Sequence, residues 1–132
     1  MSVHDLKLCC PPDAVFVAVR SSGVGFVDVE VSDAEGTGKQ FLPRRLDLAC
    51  LARLRFEWLP GDDATRQLAL AMLAYTVGRD LALAHFEDFA TGFVQDLPLD
   101  GWRIPAIAVL NWLRVVLAET HGLESTEGPT NA

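Results

Sequence analysis

The sequence predicts an α+β fold, a short antiparallel β-sheet of two or three strands packed against three α-helices. Three observations carry this expectation. Phe26-Val27-Asp28-Val29-Glu30-Val31 alternates apolar and acidic residues at the period of a strand with one wet face. From Ala64 onward, apolar residues recur at helical spacing in three successive blocks. Between the halves lies Arg55-Phe56-Glu57-Trp58-Leu59-Pro60-Gly61-Asp62-Asp63. There two aromatics flank a carboxylate, Pro-Gly turns the chain, and paired aspartates stand ready to cap a helix.

Ala14-Val15-Phe16-Val17-Ala18-Val19 is a β-branched and aromatic run, and Ser21-Ser22-Gly23-Val24-Gly25 turns it into the alternating strand. Ser32 to Gly38 is a second turn, and Gln40-Phe41-Leu42 adds a short third strand before Pro43. A hairpin alone is marginal, so its valine face must lie on the helices. Arg44 to Leu54 reads either as a helical turn or as an irregular connector anchored by its leucines. The first helix follows Asp62-Asp63, with Leu68, Ala71, Met72 and Tyr75 on a stripe widened by Leu70, Leu73 and Val77, and ends at Gly78. Asp80 is placed to cap a second helix whose face is Leu83, Phe86, Ala90, Phe93, Val94 and Leu97, stopped by Pro98. The third starts with Pro105 in its first turn, buries Val109, Trp112, Leu113, Val116 and Leu117, and ends near His121-Gly122. Its other face carries Asn111, Arg114 and Glu119. Residues 1–123 thus form one domain and 124–132 a flexible tail.

At 132 residues, 50% of them hydrophobic, the chain supports one core and not disorder. The most apolar stretch, Ile104 to Ala118, is broken by Pro105, Asn111 and Arg114 and falls short of the roughly 20 residues of a membrane span. No secretory signal is evident at the N-terminus, so the expected location is cytoplasmic. Cys9, Cys10 and Cys50 are an odd set of three, which fits reduced thiols. Eleven basic against eighteen acidic residues give a net charge of -7, which opposes broad attraction to nucleic acid. Residues 1–66 hold eight basic and ten acidic groups, residues 67–132 three and eight, so acidity concentrates in the helical half.

No constellation specifies a reaction. His4, His85 and His121 are scattered, and adjacent Cys9-Cys10 lacks the spacing of zinc or redox pairs. Neither a metal nor a cofactor is expected, and no catalytic residue is assigned. Asp62-Asp63 reads as a cap, and Glu87 and Asp88 lie on the wet side of the second helix. Glu57, shielded between Phe56 and Trp58, calls for a basic partner, with Arg53, Arg55 and Arg66 as candidates; a structural ion pair, an interface role and general acid or base chemistry are weighed in that order. Arg44, Arg45, Arg53, Arg55 and Arg66 form the main basic concentration and suit contacts to carboxylates or phosphates. Phe56, Trp58, Trp102 and Trp112 read as structural aromatics, Trp102 stapling its turn against the third helix.

Leu42-Pro43-Arg44-Arg45-Leu46-Asp47-Leu48, Phe56-Glu57-Trp58, Gln67-Leu68-Ala69-Leu70-Ala71, Phe86…Asp88-Phe89…Val94, Leu97-Pro98…Gly101-Trp102 and Ile107…Trp112-Leu113 follow one another in an order that resembles a small family of uncharacterised bacterial proteins, also met on phages and mobile elements. The resemblance covers about residues 41–113. It departs at Leu59-Pro60-Gly61-Asp62-Asp63, where the family carries a glycine-rich, serine-containing turn. The family supplies no activity. Its association with mobile elements implies a modulator of host machinery, including inhibition of a nucleic-acid-targeting defence complex. The expected function is therefore a non-enzymatic acidic protein acting through a protein partner, with nucleic-acid binding through the arginines and a small hydrolase using Glu57 as alternatives; a homodimer is compatible with the apolar stripes.

Overall fold

The computed structural model describes residues 6–19, 29–53 and 56–126. It is an α+β fold in which one small antiparallel sheet packs against three α-helices. The strands are β1 (Val15–Val19), β2 (Val29–Ser32), β3 (Gln40–Phe41) and β4 (Gly101–Pro105), in the order β3-β2-β1-β4. The alternation read from Phe26 to Val31 falls partly on 26–28, and the Ser21–Gly25 turn wholly on residues, outside the described ones. Where it is described, the pattern holds: Val29 and Val31 are buried and Glu30 is half-buried.

The fourth strand differs from the expectation of a turn leading into the third helix. Trp102 and Ile104 pair with Ala18 and Phe16 of β1, which in turn pair with Val29 and Val31 of β2. Two cross-strand rows, Trp102-Ala18-Val29 and Ile104-Phe16-Val31, therefore form the face toward the helices. Pro105 is correspondingly the last residue of β4 and not the first turn of a helix.

Both sheet edges are blunted by proline. Ala106 N–H donates to Ala14 C=O at 2.9 Å. In an antiparallel ladder this turns the backbone of Trp102 and Ile104 toward β1, and that of Gly101, Arg103 and Pro105 outward. Gly101 N–H is taken by Pro98 C=O at 3.3 Å, and Pro105 has no N–H, which leaves Arg103 as the outward donor of the strand. On the other edge, Leu42 N–H donates to Val29 C=O at 2.8 Å, so Phe41 and then Pro43 face outward. A proline at an outward edge position denies a docking strand its hydrogen bond.

Helix α1 (Asp63–Val77) is the centre of the fold. Twelve of its fifteen residues are buried, so it is enclosed rather than amphipathic. Asp62 caps it as expected, its carboxylate accepting from Ala64 N–H at 2.7 Å. Gly78, at φ +95°, ends α1 and starts α2 (Arg79–Gly92), a backbone conformation that suits glycine. Gly78 and not Asp80 therefore occupies the cap position of α2; Asp80 lies in the first turn and accepts from Arg79. The buried face of α2 is Ala82, Phe86, Phe89 and Ala90, while Leu83 is exposed. The helix stops at Gly92, and Val94–Asp96 is a separate 3-10 turn. Helix α3 (Ala106–Thr126) buries Ala106, Val109, Leu110 and Leu113, with Trp112 half-buried edge-on to Phe89 at 4.9 Å. It continues past Gly122 and three residues into the segment read as tail; residues 127–132 lie outside the described ones. None of the described helices is long and apolar enough to cross a membrane.

Replacing Pro105 by valine restores an outward N–H beside Arg103. Pro105→Val is expected to make the light-scattering mass rise more steeply with concentration than in wild type, with an unchanged far-UV circular dichroism spectrum. Superimposable mass curves would contradict this role for the proline.

Candidate functional site

The junction between sheet and helices is closed. Phe56 and Trp58 are fully buried and Glu57 is 6% exposed. Trp58 meets Trp102 edge-to-face at 5.4 Å, and its indole N–H donates to Pro98 C=O at 2.9 Å. Trp102 thus finds its aromatic partner in Trp58, tying β4 to the start of the helical half. Glu57 Oε1 accepts from Trp58 N–H at 3.2 Å, and Glu57 N–H donates to Ala64 C=O at 3.3 Å. The Thr65 hydroxyl closes the turn: it accepts from Leu59 N–H at 2.8 Å and donates to Leu59 C=O at 2.7 Å.

Gln67, fully buried on α1, organises the connector whose form the sequence leaves open. Its Oε1 accepts from Leu51 N–H at 2.7 Å and Ala52 N–H at 3.2 Å, and its Nε2 donates to Arg44 C=O at 2.7 Å. The connector is irregular with one turn, closed by Leu48 N–H on Arg45 C=O at 3.0 Å. Arg45 holds φ at +58°, a left-handed conformation that costs a non-glycine residue about 1–2 kcal/mol. Sequence periodicity treats Gln67 and Thr65 as ordinary polar positions. A readable signal was present: Leu68 to Ala74 are seven apolar residues in succession, which leaves that stretch of α1 no face for water and draws nearby polar groups inside.

The predicted arginine cluster is distributed among separate partners. Arg44 is half-buried with its guanidinium carbon 5.5 Å from the Phe56 ring centroid. Arg45 is bidentate on Asp47, Nε and Nη2 each at 3.0 Å. Arg66, a candidate partner for Glu57, is instead bidentate on Glu87 at 3.1 and 2.9 Å, and adds Asp63 at 3.0 Å. It also lies 5.9 Å from the Phe86 ring centroid. This network staples the first turn of α1 to α2 and fixes Glu87, while Asp88 and Arg53 are exposed. Arg55 lies outside the described residues. The Glu87 hydrogen bonds, then those of Asp63, hold the Arg66 guanidinium above its ordinary pKa; Asp47 does the same for Arg45 and is itself held low by it.

Among the described residues, no group of three or more His, Cys, Asp or Glu is placed to hold a metal ion. Burial pushes the Cys10 thiol up, with adjacent Cys9 adding to it, which disfavours a reactive thiolate there. A shallow cleft of about 140 Å3 opens between the approach to β1, the β2–β3 turn and Tyr75 of α1. In its wall Asp33 accepts from Thr37 N–H at 2.8 Å and from the Thr37 hydroxyl, and those bonds hold its carboxyl below the usual carboxylate range. A second, open depression runs from Val77 to Leu81 where α1 meets α2. Glu57 lines neither.

Fold and junction together define a two-layer α+β domain whose most distinctive residues are interior. Residues 23–115 match the model of a family of unknown function, DUF6166, and the chain belongs to that family. Neither a curated protein nor a solved structure matches the chain. The buried Phe56-Glu57-Trp58 and the Gln67-led helix lie inside the matched span.

Gln67→Leu keeps the volume but leaves two N–H groups and a carbonyl without their partner. It is expected to lower urea-unfolding stability by about 3 kcal/mol; a loss below about 1 kcal/mol would show that water replaces the amide freely. For Asp33, a depressed folded pKa means stability that is present above the unfolded carboxylate value and is lost as pH falls through the folded one. Thr37→Val should therefore shift the Asp33 carboxyl titration upward by NMR, toward the ordinary carboxylate value. An unmoved titration would remove Thr37 as the cause.

Proposed function

We propose that this protein is a non-enzymatic, acidic interaction protein of the cytoplasm that engages the basic surface of a protein partner. In this reading it is encoded on a mobile element and modulates or inhibits a host defence complex, occupying arginine-rich surfaces that otherwise hold nucleic acid. The observation that carries the reading is the charge of α2 and the turn after it. From Asp80 to Asp100 the chain carries Asp80, Glu87, Asp88, Asp96 and Asp100 and neither lysine nor arginine. Asp80 and Glu87 are engaged by Arg79 and Arg66, while Asp88, Asp96 and Asp100 are exposed and make no ion pair among the described residues. Exposed carboxylates of one sign steer a cationic partner and repel a phosphate backbone.

The arginine cluster supports a nucleic-acid contact less well, because Arg45 and Arg66 already satisfy carboxylates of this chain. An enzymatic role for Glu57 is disfavoured by its enclosure between two core aromatics.

Size-exclusion chromatography with a host nucleic-acid-targeting complex tests the proposal. At low salt the two are expected to co-elute, the complex is expected to dissociate as salt rises, and Asp88→Lys/Asp96→Lys is expected to abolish it without changing the thermal melt. Absence of a complex at low salt, or one indifferent to the double reversal, would contradict the proposal.

A further inference from the structure

We infer that the cleft between Asp13, Asp33 and Tyr75 is a receptor for a guanidinium group, namely an arginine side chain presented by a protein partner. The cleft lies where three parts of the chain converge: Pro11, Asp13 and Ala14 entering β1, Ser32 to Gly38 leaving β2, and Tyr75 from α1. Its volume of about 140 Å3 admits one side-chain head and falls well short of the roughly 300–1,000 Å3 of pockets for drug-sized ligands or cofactors.

The chemistry of the wall selects among occupants. Among the described residues no lysine or arginine lines it, and two carboxylates do, which disfavours anions. A metal ion lacks the clustered ligands it needs among the described residues. An uncharged apolar group would strand the carboxylates without water. What remains is an organic cation.

The polar atoms of the wall are rich in acceptors. Asp13 is exposed and makes no ion pair among the described residues. Asp33 is held ionised, chiefly by Thr37 and to a lesser degree by the backbone N–H groups of Glu35 and Gly36, so it contributes its negative charge to the wall. The Tyr75 oxygen receives Gln40 Nε2 at a long 3.4 Å, which leaves it able to accept again. A planar group with several donors and no acceptor complements such a wall, and a guanidinium meets that description better than an ammonium because it also stacks on an aromatic ring.

The wall is built rather than incidental. Asp33 N–H donates to Thr37 C=O at 3.2 Å and Gly36 N–H to Asp33 C=O at 3.0 Å, closing the turn. Gly36 and Gly38 carry it through φ values of +85° and +63°. Tyr75 is set edge-on against Phe16 of β1 at 5.8 Å. The inference rests on the proposed engagement of a basic protein, and the cleft's lining does not include the Asp88 and Asp96 carboxylates that test that proposal.

The test is an NMR titration of the full chain with N-acetyl-arginine methylamide, with the citrulline and lysine analogues as controls. Saturable shifts at the amides of Thr37, Gly38 and Gln40 are expected from the arginine compound. The citrulline analogue is expected to give none and the lysine analogue weaker ones. Asp13→Asn, at an exposed position, is expected to weaken arginine binding about fivefold, the scale of one solvent-exposed ion pair. No saturable shift, equal shifts from citrulline, or equal binding of lysine would overturn the assignment. Because the probe is a single residue, this result is independent of whether a host complex binds the protein.

Discussion

The rest of the structure depends on the enclosure of α1. The sheet packs on one side of this helix and α2 and α3 cover others, so its buried polar side chains, Thr65, Gln67 and Thr76, have no water to turn to. A buried amide or hydroxyl left without a partner costs about 1–3 kcal/mol, and the fold avoids that cost by aiming each at nearby backbone. Thr76 donates to Met72 C=O within the helix at 2.8 Å. Thr65 holds both polar groups of Leu59, and Gln67 holds three groups of the connector. The same bonds that satisfy α1 fasten the irregular chain on either side of the Phe56-Glu57-Trp58 segment.

This constraint explains why the junction is structural and why the proposed binding surfaces lie elsewhere. Phe56 and Trp58 fill space in the core, and Trp102 reaches Trp58 from β4, so the two tryptophans join the sheet to the segment that leads into α1. A residue such as Glu57, enclosed in that packing, has little freedom to meet a substrate. Charge is displaced to the rim, where Arg66 bridges Asp63 and Glu87 and where Asp88, Asp96 and Asp100 face solvent. A rigid interior and an acidic rim suit a protein whose surface is presented whole, since little ordering is needed on association.

The sequence made local signals legible and long-range ones obscure. Asp62 as a cap, Gly78 as a terminator and the buried valines of β2 follow from residue type and spacing, and the structure repeats them. The strand at Gly101–Pro105 was hidden because its five residues begin with a glycine, end with a proline and run directly into an α-helix, and its partner β1 lies more than eighty residues earlier. Asp80 looked like a cap because helix starts favour aspartate. Gly78 took that position because the α1–α2 corner needs a left-handed residue. Leu83 fitted the helical period yet faces outward, since the side of α2 that meets α1 is set by Ala82, Phe86 and Phe89. The arginines stand as one basic concentration in a linear string, but folding gave Arg44, Arg45 and Arg66 different neighbours. The cleft at Asp13, Asp33 and Tyr75 joins residues from three segments with no shared motif, and no spacing rule would have gathered them.

Native-state hydrogen exchange addresses the central claim most directly, namely that buried polar groups of α1 make the connector part of the core. If it holds, the Leu51 and Ala52 amides, both bonded to Gln67 Oε1, exchange with the same free energy as core amides of α1 such as Leu70. All would then open only in global unfolding. Exchange of Leu51 and Ala52 through a low-energy local opening, with Leu70 still protected, would contradict the account and make the connector a separate, loosely attached element.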